Sequence, residues 1–150
     1  MSFYIRPISI DDVSEEVYDL ANVFTKNKKK YDLEQQAMLR KAIMANCNSV
    51  CKIYLCFDKK SESHVLVGMI KLLLEPKIHN NGAYVGHIED VAVVIEHRHK
   101  GIGKFMVNQV MEMCAKFGCY KVTLCCNDPL VEFYENCGFI RKGTELSCYF

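Results

Sequence analysis

The chain lacks an excess of charge of either sign, a long apolar run and any tract of biased composition. Its 19 Lys and Arg side chains stand against 18 Asp and Glu, for a net charge of +1. No global field therefore draws it to nucleic acid or to an anionic membrane, and partners are expected to be small molecules recognised locally. The longest uncharged apolar stretches, such as His64 to Ile70, fall far short of the roughly 20 residues that span a bilayer. No basic, apolar, small-residue series opens the chain, and the expectation is a cytoplasmic protein without a membrane segment. With no linker or repeat, residues 1–150 are expected to form one domain; a chain of this length buries roughly 70% of its unfolded surface.

Cysteine, by contrast, is plentiful. There are nine, an odd number, spread along strands and helix faces rather than loops, which is not the pattern of a disulfide scaffold. Cys125 and Cys126 are adjacent, and Cys47 and Cys51 have no second pair at zinc-finger distance, so no metal site is expected. Most of these thiols read as buried, inert hydrophobes in a reducing compartment.

The richest segment is Gly86 to Lys104, GHIEDVAVVIEHRHKGIGK. An apolar strand runs into a basic loop broken by glycine and then into an amphipathic helix. The loop from Arg98 to Lys104 offers unpaired backbone N–H groups at a helix N-terminus, where the positive end of the macrodipole favours a phosphate or pyrophosphate. Ile102, Met106, Val110, Met113 and Phe117 mark one apolar helix face, and Gly118 its left-handed terminator. A Walker A loop is excluded, because Arg98 stands five before Gly103 and Phe105 follows Lys104. A dinucleotide fingerprint is excluded because Met106 occupies the third small position.

Periodicity supplies the remaining elements. Phe3 to Ile8 alternates as a strand. Asp11 and Asp12 are placed to cap a helix with Val13, Val17, Leu20, Ala21 and Phe24 inward. After the polar loop Lys26 to Lys30, Leu33 to Ala45 reads as a helix, Val50 to Asp58 as a strand, Lys59 to Ser63 as a turn, and Val65 to Leu74 as a strand ended by Pro76. Tyr84 to Val94 and Tyr120 to Cys126 are strands flanking the helix Ile102 to Phe117. Asp128 as cap and Pro129 open a short helix with Leu130, Phe133, Tyr134 and Cys137 inward and Gly138 closing it; Phe139 to Phe150 supplies the last strand. The expected class is α/β, a mixed sheet with helices on both faces.

The loop R-x-x-G-x-G after a strand resembles the acetyl-coenzyme A pyrophosphate loop of the GCN5-related N-acetyltransferase (GNAT) superfamily. GHIEDVAV, GCYKVTL and V-x-FYENCGF are similar, block for block, to its eukaryotic branch acting on glucosamine 6-phosphate, as are FYIR and Val23-Phe24-Thr25. The resemblance implies the GNAT fold, a central, mostly antiparallel sheet flanked by helices. It implies acetyl transfer from acetyl-CoA to the amine of glucosamine 6-phosphate, on the route to UDP-N-acetylglucosamine, and a homodimer sharing C-terminal strands. Other amines and protein N-termini are alternative acceptors, and a module that only binds acetyl-CoA is a third reading.

Site residues follow from the same blocks. Val91, Ala92 and Val93 would offer strand backbone to the pantetheine arm, with an N–H near Val91 as oxyanion donor. Arg98, His99, Lys100, Gly101, Ile102, Gly103 and Lys104 would hold the pyrophosphate. Tyr134 would protonate the leaving thiolate. Glu89 and Asp90 match the acceptor pocket, Glu89 orienting or deprotonating the ammonium and Asp90 near hydroxyls or amine. As strand neighbours they are expected on opposite faces, and an acid within an apolar strand is costly unless satisfied. His79, Thr25 and Lys77 match substrate contacts. Two departures from the resemblance stand out: Cys125 replaces an acid that contacts the amine, and Tyr149 an arginine that binds phosphate, leaving that role to Lys77, Lys121, Arg141 or a partner subunit.

Overall fold

The computed structural model describes residues 3–59 and 64–150. The expected turn therefore lies outside the described residues from position 60 to 63. In order come β1 (Phe3–Pro7), α1 (Glu15–Ala21), α2 (Leu33–Asn46), β2 (Cys51–Asp58), β3 (Val65–Pro76), β4 (Tyr84–Val93), α3 (Ile102–Lys116), β5 (Cys119–Thr123) and α4 (Val131–Glu135). The strands make one sheet in sequence order. Pairing is antiparallel from β1 to β4, and β5 joins β4 in parallel, which the long crossover through α3 permits.

Each face of the sheet carries its own apolar layer. On one, α3 sets Ile102, Met106, Val107 and Val110 against Ile70, Leu72 and Ile88. On the other, Val17 and Leu20 of α1 and Ile43 of α2 meet Leu55, Met69 and Ala92. Leu72 is fully buried, and truncating such a residue to Ala costs about 2–5 kcal/mol. The mixed sheet with helices on both faces is the architecture expected from the order of elements.

Several local expectations are corrected. Ser14, not Asp11 or Asp12, caps α1, its hydroxyl accepting from the Val17 N–H at 3.3 Å. Asp12 instead accepts from Arg6 at 2.5 and 2.8 Å, and that hydrogen bonding, against a smaller effect of burial, holds its carboxyl below the usual range. The same carboxylate also accepts from the Ser9 N–H at 2.7 Å, which closes the turn ahead of α1. Tyr18 is buried beside Val17 and Leu20, whereas Ala21 and Phe24 are exposed; α1 ends at Ala21, so Phe24 lies beyond it.

In α3 the inner face is completed by Val107 and Cys114, while Phe117, past the last turn, is exposed. Gly118 does close the helix, at φ +75°. β5 stops at Thr123, three residues short of expectation. Asn127 rather than Asp128 precedes the turn into α4, and Asp128 accepts from Arg141 at 2.8 Å instead. Leu130 is exposed; Tyr134 is buried, and Gly138 follows at φ +94°.

The last strand is absent: residues 140–150 take no regular structure, and Ile140, Leu146, Tyr149 and Phe150 are exposed. A strand needs a neighbour to complete its backbone hydrogen bonds, and no described strand stands opposite this segment.

Candidate active site

The site begins with a defect in β4. Lys71 pairs with Glu89 and Met69 with Ala92, so Ile70 alone faces Asp90 and Val91. Asp90 takes φ +50°, a left-handed conformation that Asp tolerates better than most residues. This bulge reverses the phase of the strand. Before it, Ile88 faces α3; after it, Val91 and Val93 do, and Ala92 turns to the opposite layer. The expectation that Glu89 and Asp90 lie on opposite faces of a regular strand, costly to bury, is corrected. Both residues are exposed, and Lys71 stands beside both, opposite Glu89 in register and 4.0 Å from Asp90.

Pairing between β4 and β5 runs from Tyr84 to His87 and ends there. Among the described residues the edge of β4 from Ile88 to Val93 is thus left without a strand beside it, and its backbone groups can bond an extended ligand, as an added strand would. Val91 stands at the bulge, opposite Ile70, at the start of this edge. Beyond β4 the chain turns through Ile95–His97 and enters α3 at Gly101, with His99 at φ +60° and Gly101 at φ +79°. Arg98 Nε donates to the Val93 carbonyl at 3.3 Å, and Lys100 Nζ to the Glu96 carbonyl at 2.9 Å. These contacts hold the loop while the first N–H groups of α3 stay unpaired, the arrangement that receives a phosphate. The exposed Arg98, His99, Lys100 and Lys104 ring it with positive and polar groups.

α4 closes the cradle. Phe133 packs against the start of α3, where an added Cβ on Gly103 would stand 3.2 Å from its ring. Tyr134 meets the Phe133 ring edge-on at 4.9 Å and is 8% exposed. Burial pushes its phenol up to about 12. The hydroxyl has no hydrogen-bond partner among the described residues and keeps its proton at neutral pH.

Across the sheet from α3, where no helix covers the β5 side, β3, β4 and β5 present a polar face. Glu75 accepts from Lys77 and from His87 Nε2 at 2.9 Å, and His87 Nδ1 lies 3.2 Å from the Thr123 hydroxyl. Lys77 and His87 together hold the Glu75 carboxyl below its usual range. Cys125 lies beside Glu145 and Glu89: desolvation first, then these carboxylates, pushes its thiol up. That environment disfavours a nucleophilic thiolate.

The sequence-predicted residues thus fall into groups. Val91 to Val93, the loop from Arg98 to Lys104, and Tyr134 come together around α3. Glu89, Asp90 and Cys125 share the polar face. Thr25 is not on the polar face: it lines a hollow of about 620 Å³ at the end of β4, with Val23, Val93, Val94, Glu96 and His97. His79, at the opposite end of β3, donates to or accepts from the Tyr120 hydroxyl at 3.3 Å. Sequence reasoning missed Lys71, Glu75, His87 and Thr123. The lone lysine inside MIKLLLE was a visible signal, but which strand faced it was not.

Residues 15–139 match the pattern of the acetyltransferase (GNAT) family. The chain is 40% identical over 96 residues to the glucosamine 6-phosphate N-acetyltransferase of Schizosaccharomyces pombe, covering 64% of this chain and 86% of that one. It is 30% identical over 146 residues to glucosamine 6-phosphate N-acetyltransferase 1 of Dictyostelium discoideum, covering 96% and 88%. The crystal structure of glucosamine-6-phosphate N-acetyltransferase from Arabidopsis thaliana superposes with a TM-score of 0.82 at 30% identity, over 100% of this chain and 99% of that one. A bulged β4, a split from β5 and a phosphate-accepting start to α3 therefore sit in a matching sequence and a matching fold, and the chain belongs to the acetyltransferase (GNAT) family.

Proposed function

We propose that this protein transfers the acetyl group of acetyl-CoA to the amine of glucosamine 6-phosphate, giving N-acetylglucosamine 6-phosphate for UDP-N-acetylglucosamine synthesis. The observation that carries the reading is the continuous track from the unpaired edge of β4 to the start of α3, with the protonated Tyr134 beside it. The names of the relatives at 30–40% identity supply the acceptor.

Acetyl-CoA suits this track. Residues Val91 to Val93 would bond its pantetheine arm and the amides from Arg98 to Lys104 its pyrophosphate; its thioester supplies the activated acetyl group. The Val91 N–H would stabilise negative charge on the carbonyl oxygen as the amine adds. Glu89 would orient the acceptor ammonium and take its proton, directly or through water. Tyr134, which burial keeps protonated at neutral pH, would stand beside the departing sulfur of coenzyme A. Tyr134 therefore acts by donating a hydrogen bond to the departing sulfur, and the proton released by the amine finally neutralises it.

We read the protein as a single cytoplasmic domain that pairs as a homodimer, which would cover the exposed Ile140, Leu146, Tyr149 and Phe150. A second reading, a GNAT enzyme for another amine, is favoured by Cys125 and Tyr149, both exposed and neither acidic nor basic. Release of coenzyme A thiol on glucosamine 6-phosphate, glucosamine, spermidine and a peptide tests both. Glucosamine 6-phosphate should exceed glucosamine by at least about 100-fold in kcat/KM, since two charge-assisted contacts contribute about 1.5–3 kcal/mol each. Comparable rates, or a preference for spermidine or peptide, would overturn the phosphosugar assignment.

A further inference from the structure

The polar face carries three lysines and a histidine, and they are not equally free. Lys77 is bound to Glu75, His87 bridges Glu75 and Thr123, and Lys121 lies on the exposed outer strand with its ammonium 5.8 Å over the Tyr120 ring. Lys71 differs. Its side chain is only 22% exposed, it stands opposite Glu89 in register, and its Nζ lies 4.0 Å from Asp90 Oδ2. At that distance opposite charges attract but no hydrogen bond forms. Among the described residues Lys71 donates no hydrogen bond, so its ammonium has donors free for water or for a ligand oxygen.

We propose that Lys71 sets the charge preference for the acceptor. This rests on the acetyltransferase reading given above. Glu89, Asp90 and Lys71 together carry one net negative charge, which matches a single acceptor ammonium. Without Lys71 the same patch carries two, which attracts cations and repels any acceptor that bears a phosphate. The lysine balances the carboxylates and offers free donors to an oxygen of the ligand. Its role is specificity rather than chemistry, since neither acetyl group nor leaving sulfur needs it.

The test compares kcat/KM for glucosamine 6-phosphate and glucosamine in the wild type, Lys71→Met and Lys71→Arg. Both rates come from the same sample, so partial unfolding lowers them together and leaves their ratio intact. The phosphosugar preference should fall about tenfold in Lys71→Met, the scale of one altered charge contact. It should stay within about threefold of wild type in Lys71→Arg, which keeps the charge. Coenzyme A affinity by calorimetry should not move. Should Lys71→Met fail to fold, Lys71→Gln is read in the same way. A wild type that prefers the phosphosugar and a Lys71→Met that keeps this preference overturn the role of Lys71 alone. A wild type that acetylates neither sugar overturns the phosphosugar reading and this inference with it.

Discussion

Gly103 and Phe133 touch across the start of α3: a Cβ added to the glycine would stand 3.2 Å from the Phe133 ring. The contact links the phosphate-accepting turn to the short helix that carries Tyr134, so the two ends of the coenzyme track are set by one packing contact. It also separates the roles of the two glycines. A Cβ added to Gly101 would meet nothing within 4 Å, but that residue needs φ +79°, whereas Gly103 is helical and needs the space.

Replacement at these positions should therefore fail differently. Gly101→Asn should retain coenzyme A binding, because Asn tolerates the left-handed region, and Gly101→Val should be destabilised by about 1–2 kcal/mol. Gly103→Val should displace Phe133, crowd the N-terminal amides of α3 and lose coenzyme A affinity at least about tenfold. Calorimetry with coenzyme A, alongside thermal melts, separates these outcomes; equal affinity in wild type and Gly103→Val would remove the cradle.

Tyr134→Phe should lower kcat about tenfold or more with coenzyme affinity nearly unchanged, since the phenol acts only as the sulfur departs. Because the phenol sits at about 12, Tyr134 should contribute no alkaline limb to the kcat profile below about pH 10. Single-turnover measurements across pH check both points. An unchanged rate, with chemistry limiting, would return Tyr134 to the core as a packing residue.

Alkaline stability should be governed by the buried thiols. Burial pushes Cys56 and Cys114 up to about 12, from an ordinary value near 9. A raised folded value means that the unfolded chain loses these protons first, so the stability they contribute is complete below about pH 9 and is lost as pH rises toward 12. Each thiol should remove about 1.4 kcal/mol per pH unit within that window. Urea midpoints between pH 8 and 11 should fall less steeply in Cys56→Ala than in wild type, after correction for the cavity; parallel slopes would contradict the assignment.

What the residues determined by themselves was local and periodic. The three- and four-residue spacing of Ile102, Met106 and Val110 placed α3 and its inner face, the glycines placed its ends, and the order of elements placed helices on both sides of a mixed sheet. A loop of R-x-x-G-x-G between strand and helix carried the coenzyme reading, because helix-end amides and φ above zero are properties of a few consecutive residues. The tertiary structure decided whatever depended on a partner distant in sequence. Asp90 reads as a strand residue until Ile70 is seen to face two residues at once, which turns Val91 and Val93 toward α3 and leaves both carboxylates beside Lys71. Asp12 accepts from Arg6 and from the Ser9 N–H ahead of α1, and Asp128 from Arg141, partners that the spacing of neither helix reveals. The final strand read from residues 139–150 is missing for the same reason: alternation gives a segment the capacity to pair, but only a neighbouring edge, here none in the described chain, supplies the hydrogen bonds that make it a strand.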